Sequence, residues 1–392
     1  GWWAKLVEPQ LEATPAIKAK VHELTQRAAT DEAKIKALYD FVAQDIRYRG
    51  LGVGPRTGYT PRKAGDTFTS RWGVCRDVAI LLTSMLRESG IEAYPALTNM
   101  GDPVLDKVAY DGFNHAIVAL PQPGGGFRYL DPTAKNNSAL LPGYEAEQDV
   151  LVATGAGAPL GRIPALAPDA NHGTASAESE IHADGSMTSK VKLETKGLFD
   201  FAARSIAVQM SSDQQRALLE EVLHHALPDA ELVSFELSNP LALWAPMSIA
   251  LEVRVPNAAP RVGSYRLAHT LVTSGALGLV ENLLPRLLGT LTSRKYGLDA
   301  HATFEYEQRE TVTLPAGLQL LALPNPASTE RGVAQLHAEC KQTSARSLEC
   351  DRSFQLRSRF IDPSAYQELR GAFASLGQIA HQPIILTGGS SK

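Results

Sequence analysis

The run SRWGVCRDVAILLTSML, residues 70–86, constrains the fold more than any other stretch of the chain. Val78, Leu81, Leu82, Met85 and Leu86 recur at the three-and-four spacing of one buried helix stripe. Gly90 follows where a left-handed cap would stand, which sets the helix limits independently. Cys75 then falls in the first turn, where unpaired amides and the helix dipole favour negative charge. A thiolate nucleophile is stabilised at such a place. The other reading is a small residue packing a helix end.

At 392 residues the chain is too long for one typical core and reads as two or three globular domains. A net charge of -4 with both signs interspersed offers no basic stripe for nucleic acid and no polybasic helix for a membrane surface. No apolar run reaches the roughly 20 residues a bilayer span needs. The opening GWWAKLVEPQ has neither a charged n-region nor an apolar h-region, so Gly1 reads as a processed end. A leader removed or lying upstream is compatible with this start, which therefore does not argue for the cytoplasm.

Of the three cysteines, Cys340 and Cys350 lie in VAQLHAECKQTSARSLECDRSFQLR, two alternating runs around a polar turn. A hairpin centred near Ala345 sets them opposite each other, within reach of a disulfide. That bond implies an oxidising compartment, periplasmic or otherwise extracytoplasmic. Two unrelated reduced thiols are the alternative. Pairing them leaves Cys75 as the odd cysteine.

Thr14 and Pro15 read as the cap and first position of a helix with Ile17, Val21 and Leu24. Thr30 caps a second, with Ile35, Leu38, Val42 and Ile46 as its stripe. Gly50 to Gly65 reads as a loop. IEAYPAL, HAIVAL and FRYLDP then read as strands, giving an α+β architecture for residues 1–155. A connection rich in Ala, Pro and Gly is expected at 156–174, followed by a mostly β region with helical insertions at 175–392. That region should hold a hairpin turning at Asp184-Gly185, a helical stretch from about Phe199 to Ala226, and a terminal helix after Pro363.

A cysteine nucleophile needs a base and a group to orient that base. Among ten histidines, His115 opens the strand HAIVAL in the same domain as Cys75, and Asp131 ends the neighbouring strand. Each has a plainer reading, as a strand-end histidine and as an aspartate that starts a turn before Pro132. The sequence RWGVC at a helix start, then NHAIVAL, then YLDPT resembles the transglutaminase-like core, a papain-like fold with a Cys-His-Asp triad. DFVAQDIRYRG, GYTPRKAGDTFTSRWGVCRDVAILLTSMLRESGIEAYPAL and the ending DPSAYQELRGAF resemble bacterial members in which a β-sandwich domain precedes the core. By that resemblance the chain is expected to start after such a domain.

The resemblance implies a catalytic triad of Cys75, His115 and Asp131. It departs from the group at Val74, where an acidic residue is usual, and at Arg76, where lysine is usual. Asp77 matches an acidic position and reads as a structural partner for helix amides or a nearby arginine. The implied chemistry is acyl transfer on a peptide or protein amide through a Cys75 thioester, ending in transamidation or hydrolysis. The backbone amide of Cys75 is an oxyanion donor, and Trp72 is either a wall of the acyl channel or core packing. No metal site and no cofactor are expected, calcium included, because no ligand spacing matches one. A non-catalytic scaffold or binding module on the same fold is the rival reading.

Overall fold

The computed structural model describes residues 1–49, 58–101, 104, 112–277, 284–330, 332–379 and 382–388. The chain forms two compact units, Gly1–Ala165 and Leu166–Lys392.

The first unit begins with helices α1 (Trp2–Val7), α2 (Pro15–Thr25) and α3 (Asp31–Asp45). The side chain of Thr14 accepts from the Ile17 amide and that of Thr30 from the Ala33 amide, so each satisfies an amide the helix cannot. Part of the expected loop, residues 50–57, lies outside the described residues. Its end differs from expectation, because Ala64–Ser70 forms helix α4. Glycine and β-branched threonines argue against a helix there. Burial of Ala64 and Thr67 overrides that preference.

Helix α5 (Cys75–Glu88) is the centre of this unit. A single apolar stripe understates it: every residue from Asp77 to Leu86 is buried, Thr83 and Ser84 included. Helices α2, α3 and α4 pack around it together with strands β3 (Tyr94–Thr98) and β4 (His115–Pro121). The Thr83 hydroxyl is satisfied locally by donating to the Ala79 carbonyl at 2.8 Å. Each fully buried leucine or isoleucine contributes about 1.5–3 kcal/mol. The helix ends with Gly90 at φ +88°, its amide on the Arg87 carbonyl and the Ile91 amide on the Leu86 carbonyl. This is the paired closure that a left-handed residue permits.

The sheet of the first unit is antiparallel, in the order β5-β4-β3-β6-β7, with β5 Phe127–Leu130, β6 Asp149–Val152 and β7 Gly161–Arg162. Ala116, Val118 and Leu120 of β4 join the α5 core, while Ile117 and Ala119 join a second cluster with Val150, Val152 and Ile163. Both faces are covered, which is why HAIVAL is a continuous apolar run. Two short strands, β1 (Arg47–Tyr48) and β2 (Trp72–Gly73), pair in parallel just before α5.

The stretch 156–174 carries β7 and the first residues of β8 (His172–Ile181). The second unit is built on an eight-stranded sheet, β10-β11-β9-β8-β15-β19-β18-β17. Here β9 is Met187–Thr195, β10 Glu231–Leu237, β11 Met247–Val255, β15 Phe304–Thr313, β17 Ala327–Thr329, β18 Ala334–Ser344 and β19 Ser347–Leu356. The helical stretch is two helices, α6 (Leu198–Gln209) and α7 (Ser212–Ala226), because Ser211 and Gln214 form a capping box that starts the second. Buried Arg204 on α6 donates to Asp200 and to the carbonyls of Pro240, Ala242 and Ala245. Cys340 stands opposite Cys350 in the β18–β19 ladder, and the two are joined as a disulfide with Cα atoms 4.1 Å apart.

Candidate active site

Three local devices set the position of Cys75. Asp77, in the first turn of α5, accepts from the Val74 amide at 3.2 Å and from the Arg62 amide at 2.9 Å. The carboxylate thus caps the helix start and ties it to the incoming chain; its arginine partner is a backbone amide rather than a guanidinium. Gly73 lets the strand pass close to the helix, since a Cβ there would sit 2.8 Å from the Asp77 Cβ and 3.2 Å from Thr67 Cγ2. Cys75 itself is half-buried and unpaired.

His115 begins β4, and Asp131 follows Leu130, which pairs with Val118 of β4. The His115 Nε2 lies 3.1 Å from Asp131 Oδ2. Asp131 is held from all sides. Its Oδ1 accepts from the Thr133 amide and its Oδ2 from the Thr133 hydroxyl, both at 2.8 Å. Its backbone carbonyl accepts from the hydroxyl of Tyr39 on α3 at 2.9 Å, and its amide donates to Leu140 at 2.8 Å. The Cys75 thiol is close enough to the His115 ring to be one of the groups that raise its pKa. With Nε2 turned to Asp131, Nδ1 is the nitrogen left for the sulfur. The structure therefore brings Cys75, His115 and Asp131 together.

Electrostatics follow from burial and partners. Burial works to lower the His115 pKa, but the hydrogen bonds to Asp131 and Cys75 and the negative charges of Asp131 and Glu145 raise it from 6.5 to about 11. Burial pushes the Asp131 carboxyl up, yet His115, Glu145 and the Thr133 amide hold it below the usual carboxylate value.

Trp72 is half-buried in β2, with the Arg49 and Arg62 guanidinium carbons 4.8 and 4.5 Å from its ring centroid. Arg62 also donates to the Trp72 carbonyl at 3.0 Å. Tyr48 pairs with Gly73 in the β1–β2 register, and its hydroxyl pKa is raised by desolvation and then by Cys75 and Asp131. Neither Tyr48 nor Glu145 is singled out by sequence pattern. Glu145 lies in LPGYEAEQ, a stretch without periodicity, yet it is fully buried beside Asp131.

Among the described residues, His115, Asp131 and Glu145 are also grouped closely enough to ligate a cation. The donor set does not favour one: His115 Nε2 faces Asp131, and Thr133 already donates to both Asp131 oxygens.

Residues 18–132 match the transglutaminase-like superfamily. These residues form a transglutaminase-like core. Residues 278–386 match a domain of unknown function, DUF3858. No curated protein matches. Among solved structures, the chain is similar to a candidate protease from Parabacteroides distasonis, at 14% identity and a TM-score of 0.58. That likeness covers 98% of this chain and 58% of the other, so the chain spans little more than half of that relative. Shorter matches are a candidate cysteine protease from Cytophaga hutchinsonii (22% identity, 35% of this chain and 43% of that one, TM-score 0.25) and the periplasmic domain of TgpA from Pseudomonas aeruginosa (25%, 33% and 47%, TM-score 0.24). Among the described residues no helix of the chain is long and apolar enough to cross a membrane.

Proposed function

We propose that the protein catalyses cysteine-dependent acyl transfer on a peptide or protein amide, with Cys75 as nucleophile, His115 as proton carrier and Asp131 as its orienting partner. The observation that carries this reading is one largely buried imidazole 3.1 Å from the Asp131 carboxylate, with the Cys75 thiol among the groups that raise its pKa. An imidazole biased this strongly towards its protonated form takes the thiol proton, and the sulfur attacks the amide carbonyl carbon. The carbonyl electrons move to oxygen, where the Cys75 amide, at the first position of α5 and without an intrahelical acceptor, is a donor for the oxyanion. Collapse breaks the C–N bond, and His115 returns the proton to the leaving amine. Water then resolves the thioester as a hydrolase would, or a second amine as a transamidase would, with His115 removing the proton from either. On this reading Trp72, three residues before Cys75, and Tyr48, whose hydroxyl senses the Cys75 charge, are candidates to line the approach to the sulfur. The Cys340–Cys350 disulfide supports an oxidising, extracytoplasmic compartment.

The test is chemical. Iodoacetamide should modify Cys75 well ahead of an unstructured thiol at neutral pH, and a peptide library should leave an acyl adduct on Cys75 that mass spectrometry locates. Cys75→Ala should abolish the adduct while circular dichroism stays the same. An ordinary alkylation rate with no adduct would overturn the enzyme reading in favour of a scaffold that keeps the site idle.

A further inference from the structure

Glu145 closes a single 3-10 turn, Gly143–Glu145, and its side chain is completely buried. Its backbone is fixed at both ends: the amide donates to the Pro142 carbonyl at 3.0 Å, and its carbonyl accepts from the Gln148 amide at 3.3 Å. One carboxyl oxygen of Glu145, one of Asp131 and a ring nitrogen of His115 lie within 4.8 Å of one another. Neither Glu145 oxygen receives a hydrogen bond from any described residue.

An ionised carboxylate at that position would be desolvated without a donor and would face a second negative charge on Asp131. Both conditions are costly, and two carboxyl groups this close settle by keeping one proton between them. Burial and then the Asp131 charge push the Glu145 carboxyl well above the usual carboxylate range, and His115 opposes them less strongly. Asp131 is held low by His115 and keeps its charge. The proton therefore belongs to Glu145. We propose that Glu145 is a positioning residue of this site, whose carboxylic acid donates a hydrogen bond to the Asp131 carboxylate and so fixes the group that aligns His115.

With that bond Asp131 accepts from His115, from the amide and the hydroxyl of Thr133, and from Glu145, which matches the roughly four acceptor positions of a carboxylate. A saturated carboxylate cannot rotate away from the imidazole, and part of its charge is shared with the acid. The titratable groups facing Glu145 are Asp131 and His115, with Tyr39 of α3 and the adjacent Tyr144 also sensing its charge. The consequence for chemistry rests on the Cys75 reading above; the hydrogen bond itself does not.

The experiment compares the full chain with Glu145→Gln and Glu145→Leu. The infrared difference spectrum between wild type and Glu145→Gln at neutral pH should show the carbonyl stretch of a protonated carboxylic acid, and Asp131→Asn should displace that band. In the second readout, the pH profile of Cys75 alkylation, Gln keeps an N–H donor for Asp131. It should stay within about threefold of wild type with the same profile. Leu removes the donor, and its rate should fall by about tenfold or more with the profile displaced.

Absence of the acid band overturns the proposal. So does a Gln variant as impaired as Leu, or a folded Leu variant that matches wild type. Should Glu145→Leu fail to fold, the infrared band and the Gln profile decide. If wild-type Cys75 reacts no faster than an exposed thiol, the enzyme reading fails, and the infrared band still decides whether Glu145 donates to Asp131.

Discussion

At the scale of single residues, the proposed acyl transfer requires a carboxylate that stays charged and an imidazole that stays aligned. Asp131→Asn keeps the shape but removes the charge and can present its amide to His115, which disturbs the ring's tautomer. Acyl transfer should fall by about 10²–10⁴, in kcat rather than KM, as measured by single-turnover release of the amine. The pair also makes stability depend on pH. His115 is raised from 6.5 to about 11, so its contribution is complete below 6.5 and is lost as pH rises through about 11. Asp131 is depressed, so its contribution is present above its ordinary 3.8 and is lost as pH falls through the lower folded value. Urea midpoints of wild type and His115→Ala should thus differ most between about pH 4 and 6.5, narrow gradually above that and converge at both extremes; a gap already fully closed near 6.5 would contradict the raised pKa. The placing of Cys75 at a helix start and of His115 beside Asp131 on neighbouring strands is legible because each adjoins a strong periodic element, whereas their grouping as a triad is what the family resemblance implies. Glu145 is not legible, because a carboxylate in a turn that follows Pro142 and Gly143 carries no periodic signal, and only the folded chain shows that the turn is buried.

At the scale of elements, α5 places the sulfur and depends on how its start is built. Gly73→Ala would set a methyl against the Asp77 Cβ and Thr67. Overpacking of this kind costs about 1–3 kcal/mol, and because it acts one turn from Cys75 it should slow alkylation as well as lower the urea midpoint. A variant that loses stability but alkylates normally would show that the Gly73 approach serves packing alone. The start and end of α5 were readable from Cys75, Asp77 and Gly90, since capping chemistry is local. Its burial on every side was not, because Thr83 and Ser84 look like an exposed face in sequence and are satisfied or enclosed only in the fold. Helix α4 escaped notice for the opposite reason. Its local propensity is poor, and packing of Ala64 and Thr67 holds it.

At the scale of the whole molecule, sequence families and folded units divide the chain differently. The DUF3858 match covers residues 278–386, but the sheet it enters is shared: β15 pairs in parallel with β8 over Glu305 to Thr313, and β8 through β11 all precede the match. Strand patterns in both halves were legible, whereas a parallel pairing between segments over a hundred residues apart leaves no local trace. Separating the halves would strip β15 of its β8 partner and expose a ten-residue strand that alternates buried and half-buried or exposed positions. Such an edge is a template for association with other chains. Residues 278–392 produced alone should therefore aggregate or remain unfolded by size exclusion and circular dichroism, while 166–392 should elute as a folded species with the Cys340–Cys350 disulfide formed. A soluble, folded 278–392 fragment would show that the shared sheet is two independent halves placed side by side.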